Sequence, residues 1–340
     1  MTVRKRKSQP LGWELLLERT KLSTLNHARI LAAFTRGRLE LDSYVRLSAT
    51  QDHTWNEESA TERLIMAAHP EASYVAFSRA HEEAIGADWL WWFLGESGEC
   101  VGALVQAKKL AVGMRSFSVD FKHPGGSQKG KQLADLLAAS DIFKVPAVYA
   151  VYCGDPAYRG GDRMCPSVDR GDPCQRCERA SVLLFPALAA QELLDDAPPT
   201  TGEIAFKKGV PLEDAIDPAV PAPAVDDVFR YTMDDEFAAL LDDPQTGPRD
   251  IAKAMFGMVR EVREQMAVKF QKDRIDLGPD ALFRSVFAGG EQPGDHLLPY
   301  AHILRGVRRR LPRYVTDVLA GGELPSEYAP YLAGLAVIRI

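Results

Sequence analysis

The sequence predicts an α/β (α+β) fold in which a mixed sheet is flanked by helices. Three short apolar runs, over residues 74–77, 88–94 and 101–106, are typical of consecutive strands. A helix with an apolar face over 130–140 and a strand of buried character over 146–152 follow them. An antiparallel meander that continues through a crossover helix into another strand builds a mixed sheet with helices on both faces.

The length of 340 residues suggests about two domains, and the composition is that of an average globular chain. Shifts in periodicity and composition divide the chain into four parts. These are a helical region at 1–58, a core at 59–194 with a cysteine-rich insertion at 153–177, an acidic proline-rich linker at 195–250, and a helical region at 251–340 that ends in a strand.

Charge is distributed unevenly along the chain. The formal net charge is −6, but residues 192–250 contain 15 acidic and 4 basic residues, a net of −11 that leaves +5 for the remainder. A basic stretch at 305–313 contains five arginines. Local patches decide whether a polyanion can dock, so the acidic total does not exclude a nucleic-acid partner.

The sequence predicts a cytoplasmic protein with no membrane segment. No stretch approaches 18 consecutive apolar residues, and no apolar region follows the basic N-terminal residues 4–7. The five cysteines are an odd number, and four of them fall within 25 residues. This pattern argues against a disulfide framework and favours a reducing compartment.

One group of polar residues falls at the ends of two predicted strands. Asp88 opens one strand of the hairpin, and Gln106 and Lys108 close the next. Such ends lie side by side in an antiparallel hairpin, and residues two apart share a face, so we expect the three side chains to converge. Carboxylate and amide oxygens suit Mg²⁺, and a lysine beside the ion can position or deprotonate an attacking water.

These residues give the stretch 59–152 a resemblance to the PD-(D/E)XK, or restriction-endonuclease-like, nuclease superfamily. The glutamine in place of the usual acid resembles its Mrr-like variant with a QxK motif. The resemblance implies Mg²⁺ or Mn²⁺ ligands at Asp88, Gln106 and Glu62, with Lys108 as a further catalytic residue. It also implies a polar residue on the following helix that faces the site, and Gln132 is the candidate. One departure is Ala87, which stands where the family has a proline.

The function that the resemblance implies is phosphodiester hydrolysis by a metal-dependent endo- or exonuclease. DNA is the implied substrate, bacterial defence against foreign or viral DNA is an implied role, and a protein partner or a second copy of the chain is a further candidate partner. The alternative is a catalytically silent nucleic-acid-binding or scaffold protein, since families of this fold include members that have lost the chemistry.

Each proposed residue also has a purely structural interpretation. The spacing of one aspartate, a glutamine and a lysine is a weak pattern by itself. Glu62 fits a capping box as the reciprocal partner of Ser59. Gln132 can pack or form hydrogen bonds without contact to metal. Among the neighbouring aromatic residues, strand alternation places Trp89, Trp91 and Phe93 on one face and Trp92 on the other, which favours a core role.

Two further motifs carry their own hypotheses. The first motif is a group of four cysteines that predicts a structural Zn²⁺ site, formed by Cys153, Cys165, Cys174 and Cys177. The four thiolates would stabilise a loop that has no apolar core of its own. The alternative is a set of reduced, buried thiols. The stretch 125–132 nearly matches a phosphate-binding P-loop, but Gln132 replaces the Ser or Thr that holds Mg²⁺. We therefore expect Lys129 and Lys131 to contact nucleic-acid phosphates or to lie in a solvated connection, and ATP binding is a third hypothesis.

Overall fold

The computed structural model describes most of the chain between residues 27 and 340. The described residues are 27–51, 53–77, 89–112, 117–121, 131–154, 159, 174–193, 201–217, 219–220, 235, 239, 247–260, 278, 280–283 and 298–340. No helix among these residues is long and apolar enough to cross a membrane.

Strands and helices alternate along this part of the chain. The strands are β1 Ala72–Ala76, β2 Trp89–Leu94, β3 Cys100–Val112, β4 Phe117–Val119, β5 Ala147–Tyr152, β6 Val182–Pro186, β7 Val210–Pro211, β8 Val307–Arg308 and β9 Gly334–Arg339. The helices are α1 His27–Thr50, α2 Glu57–Ala67, α3 Lys131–Phe143, α4 Gln175–Arg179, α5 Ala187–Leu193, α6 Thr201–Lys208, α7 Leu212–Ile216, α8 Pro248–Arg260, α9 Leu298–Leu304 and α10 Arg313–Leu319. A 3₁₀ turn covers Ala329–Tyr331.

The described strands form one nine-stranded mixed sheet, which confirms the predicted α/β class. Its order is β1-β9-β2-β3-β5-β6-β7, with β4 and β8 paired to β3. Strands β2 and β3 form the predicted antiparallel hairpin, and β5 returns parallel to β3 after helix α3.

The predicted three-strand meander is wrong at its first step. Strand β9 lies between β1 and β2, antiparallel to β1 and parallel to β2, so that β1 and β2 are not neighbours. Five of the six residues of β9 are buried. The apolar strand β9 is therefore an interior strand of the sheet, and the C-terminal region shares a sheet with the core.

Two apolar layers cover the two faces of the sheet. On one face Trp91, Phe93 and Val105 pack with residues of α1, α2, α7 and α8. On the other face Leu90 and Trp92 pack with residues of α3, α5, α6 and α10. The predicted alternation of the aromatic residues along β2 is confirmed, and all six side chains of this strand are buried.

Helix α2 begins two residues earlier than the sequence predicts, and its cap is different. Asn56 is the N-cap, and its side chain accepts a hydrogen bond from the Ser59 backbone N–H at 2.8 Å. The capping box that pairs Ser59 with Glu62 is therefore wrong. Asparagine caps as well as serine does, so the local sequence contained two competing start signals.

The interpretation of 195–250 as a linker is wrong for residues 201–217. These residues form α6, the edge strand β7 and α7, and they bury apolar side chains such as Phe206 and Ile216. The acidic residues Glu213, Asp214 and Asp217 are not solvated, because they pair with Arg38 of α1 and Arg179 of α4. The composition of a segment gives its own charges, but it does not show which arginines from other elements will pair with its carboxylates in the folded chain.

The basic stretch 305–313 is likewise engaged within the chain. Each of its five arginines contacts an acceptor group within the chain. Taken in the order of the arginines, these acceptors are the Asp141 carboxylate, the Lys144 carbonyl, the Leu282 carbonyl, the Asp280 carboxylate and the Asp317 carboxylate. Arg305 and Arg308 are also buried. These two guanidinium groups are therefore held around β8, whereas Arg309, Arg310 and Arg313 are exposed, and the binding of a polyanion to them stays a prediction.

Candidate active site on strand β3

The second half of strand β3 carries two polar side chains on one face. Gln106 is 2% exposed and Lys108 is 7% exposed. Leu104 and Leu110 belong to the apolar layer that contains α3, whereas Val105 and Ala107 belong to the opposite layer. Because side chains alternate along a strand, Gln106 and Lys108 face the α3 layer together, as predicted.

Lys108 is held by the side chain of Gln132 in the first turn of α3. The Lys108 Nζ donates a hydrogen bond to Gln132 Oε1 at 2.6 Å, and it lies 6.0 Å from the centroid of the Tyr149 ring on β5. The ring of Phe121 lies against Tyr149, with centroids 4.9 Å apart. The structure therefore brings Gln132 to Lys108 beside two aromatic rings, and the hydrogen bond to Gln132 orients the ammonium group.

Gln106 presents a buried acceptor. Among the described residues, its Oε1 atom has no hydrogen-bond partner. A buried acceptor without a partner costs about 1–3 kcal/mol, so such groups point to a ligand, an ion or a donor that completes them. An amide oxygen is a hard ligand suited to Mg²⁺ or Mn²⁺, and the Gln106 side chain fits the predicted metal site.

Asp88 and Glu62 have different outcomes. Asp88 lies outside the described residues; it precedes Trp89, which pairs with Val105, the residue before Gln106. Glu62 is exposed on α2, and the apolar residues of that helix pack in the layer opposite Gln106 and Lys108. The structure thus does not bring Glu62 to the site, because the helix that carries it covers the other face of the sheet.

Lys109 provides an internal comparison for Lys108. It points to the opposite face, where its Nζ donates to the Trp55 carbonyl at 2.9 Å and lies 4.4 Å from the centroid of the Trp55 ring. Two adjacent lysines of one strand therefore have separate environments.

The glycine- and lysine-rich stretch lies mostly outside the described residues, including Lys129. Lys131 begins α3 and forms an exposed ion pair with Asp135 at 2.7 Å. Neither a nucleotide site nor a nucleic-acid contact is tested by this geometry, and both stay predictions.

The cysteine-rich region is described at three of its four cysteines, and Cys165 lies outside the described part. Cys153 follows β5 and Cys177 lies in α4, both buried in the same apolar layer, and Cys174 caps α4. Burial raises the pKa of the Cys153 thiol to about 12, although Arg159 and Arg176 oppose the shift. Within the described residues, no three His, Cys, Asp or Glu side chains form a group that could hold a metal ion.

The zinc site therefore stays a prediction with a direct test. Metal analysis of protein purified without added zinc is expected to give about one zinc per chain, because four thiolates close a tetrahedral site. Cys174→Ser is expected to release it, and Cys100→Ser, which changes a buried thiol at the start of β3, is the matched control. Absence of zinc together with free reaction of all thiols under native conditions would contradict the prediction.

A buried ion-pair network joins one residue of the cysteine-rich region to helix α1. The sequence patterns considered above do not predict it. Arg159 is 3% exposed and donates to Asp42 of α1 at 2.7 Å and to the carbonyls of Cys177 and Glu178. Ser181 also donates to Asp42, at 2.7 Å. The two charged partners are 117 residues apart, so no local spacing signals the pair.

The fold and the side chains of β3 define an α/β protein with a nine-stranded mixed sheet and a pair of hydrogen-bonded polar side chains between β3 and its crossover helix. The chain belongs to the family described as "Family of unknown function (DUF6615)", which matches residues 28–339. No curated protein and no solved structure matches the chain.

Proposed function

We propose that this protein is a metal-dependent nuclease that hydrolyses phosphodiester bonds, with DNA as its substrate. The observation that carries the proposal is the group on β3: the buried Gln106 oxygen without a partner among the described residues, two positions from a lysine that Gln132 holds in place. The antiparallel β2–β3 hairpin, the crossover helix and the parallel strand β5 also agree with the restriction-endonuclease-like core that the sequence resembles.

The proposed roles follow from the chemistry of the side chains. Gln106, with Asp88 from the sequence, would hold Mg²⁺ or Mn²⁺, and such an ion would supply Lewis-acid stabilisation of the phosphate and a water of lowered pKa. Lys108 orients the attacking water and offsets negative charge that develops on the phosphate. Gln132 positions the Lys108 ammonium group through their hydrogen bond. Glu62 has no role in this scheme.

The second candidate function is a catalytically silent nucleic-acid-binding or scaffold protein. A specific observation favours it: Gln106 is uncharged, and Glu62, the carboxylate that the resemblance placed beside it, lies on the other face of the sheet. A site with fewer carboxylates binds a divalent cation less tightly.

Purified protein incubated with plasmid, linear and single-stranded DNA separates the two candidates. We expect cleavage with Mg²⁺ or Mn²⁺ and none with EDTA.

Titration of Mn²⁺ by calorimetry, with Gln106→Leu as the comparison, measures the metal site independently of activity. DNA binding without cleavage and without Mn²⁺ binding would favour the silent protein, and RNA cleavage alone would overturn the assignment of DNA. ATP binding that depends on Lys131 would instead favour the P-loop hypothesis.

A further inference from the structure

A separate cavity of about 400 Å³ lies at the other end of helix α3, between that helix and the segment 308–328. Its size falls in the range of small-molecule sites. Phe143 and Lys144 at the end of α3, Arg308 of β8, and Tyr314 and Tyr328 line it. Gln132 lies at the opposite end of the same helix, so this cavity is distinct from the proposed active site.

Two residues with an unfavourable backbone conformation line this cavity. Lys144 has φ of 53° and Asp280 has φ of 60°, and they are the non-glycine residues with positive φ among those the structure describes. The Val145 N–H bonds to the Ser140 carbonyl at 3.2 Å, which makes Lys144 the residue after the helix end where glycine is usual. Left-handed backbone costs a non-glycine residue about 1–2 kcal/mol, and such residues cluster at ligand sites.

Side chains of both charge signs line the cavity. Its cationic groups include Lys144 and Arg308, which is 4% exposed and donates a hydrogen bond to the Lys144 carbonyl. Asp280 and Asp317 are paired with Arg310 and Arg313. The remaining acidic groups of the lining are Glu323 and Glu327, which are both exposed, and Tyr328 forms a hydrogen bond with Glu327.

Aromatic rings also line the cavity. Tyr328 stacks on Phe143 with centroids 4.9 Å apart and packs on Tyr314 at 4.6 Å. A flat apolar ring fits beside these rings, because aromatic groups pack well in offset or tilted pairs. A ligand that pairs with lining groups of both charge signs needs an anionic group and a cationic group on one small body.

We propose that this cavity binds a small zwitterion of the α-amino-acid class with an aromatic side chain. Its carboxylate pairs with Lys144 and Arg308, its ammonium group pairs with Glu327 and Glu323, and its ring packs on Tyr328. The inference does not rest on the proposed nuclease activity, because none of these residues belongs to the group on β3.

The test uses L-tyrosine as the probe in calorimetric titrations of the full chain. Tyramine, which lacks the carboxylate, and 3-(4-hydroxyphenyl)propionate, which lacks the ammonium group, are matched comparison compounds. We expect L-tyrosine to bind at least about tenfold more tightly than either, since each comparison compound lacks one of the two charged groups that form hydrogen bonds.

Two variants locate the binding. Lys144→Gly removes the ammonium group and relieves the left-handed backbone, so it is expected to retain or raise the melting temperature while it weakens L-tyrosine binding at least about tenfold. Glu327→Gln is expected to weaken L-tyrosine binding to a similar extent. The control is Lys207→Ala, which removes an exposed ammonium group on α6, away from the cavity. No binding of L-tyrosine at millimolar concentration, equal binding of the three compounds, or binding unchanged in both variants overturns the proposal.

Discussion

Replacing Lys108 with alanine is expected to lower DNA cleavage at least about a hundredfold and leave the fold intact. In the proposed mechanism the ammonium group stabilises charge that develops in the transition state, and loss of one such group typically costs 10²–10³ in rate, about 3–4 kcal/mol. The Nζ donates to the Gln132 side chain and carries no backbone hydrogen bond of the sheet, so its removal is expected to leave the sheet packed. Cleavage rate measures the first effect, and circular dichroism with thermal melting measures the second.

Lys109→Ala is the matched control, because it removes the same group from the adjacent position of the same strand. Its side chain lies on the opposite face beside Trp55, so cleavage is expected to stay near the wild-type rate. Gln132→Ala is expected to reduce cleavage less than Lys108→Ala does, since it removes only the hydrogen bond that positions the lysine. A folded Lys108→Ala protein that cleaves at the wild-type rate would refute the proposed active site.

Replacing Asp42 with alanine is expected to lower the free energy of unfolding by about 3–5 kcal/mol. The change leaves the buried Arg159 guanidinium without its carboxylate and Ser181 without its acceptor. Removing one partner of a buried ion pair is costly because the remaining charge stays out of water. Urea denaturation followed by fluorescence gives the difference.

Two comparisons test the cause of that loss. Glu203→Ala breaks an ion pair of 2.6 Å with Lys207 that is exposed, so it is expected to cost no more than about 1 kcal/mol. The double variant Asp42→Leu with Arg159→Met removes both buried charges and is expected to recover part of the stability. If Asp42→Ala unfolds at the same urea concentration as Glu203→Ala, the buried pair does not hold this region.

The local pattern was sufficient to place the group on β3. Strands β2 and β5 and helix α3 lie close to their predicted bounds, because their apolar residues repeat at the periods of strands and helices, whereas β3 continues to Val112, beyond its predicted end at 106. The period of two along β3 was enough to place Gln106 and Lys108 on one face. Gln132 was a candidate only through the family resemblance, and the structure shows its contact to Lys108.

Features that depend on distant partners, or on a choice between equivalent local signals, could not be predicted in this way. The capping residue Asn56 competed with Ser59 inside one short segment, and either choice satisfies the local rules. The position of Glu62 depended on which face of the sheet helix α2 covers, and the helix sequence does not contain that information. The strained Lys144 shows no signal in a sequence, since lysine is common at helix ends.

The sequence by itself determined the α/β class, the β2–β3 hairpin and the shared face of Gln106 and Lys108, because periodicity and turns act between residues close in the chain. Only the tertiary structure decided the insertion of β9 between β1 and β2, the pairing of acidic residues 213–217 with Arg38 and Arg179, and the burial of Arg159 on Asp42. Strand partners and buried ion pairs are selected by surfaces that meet after the chain has folded. Their energies depend on burial and on partners from other elements of the chain, which local composition does not encode.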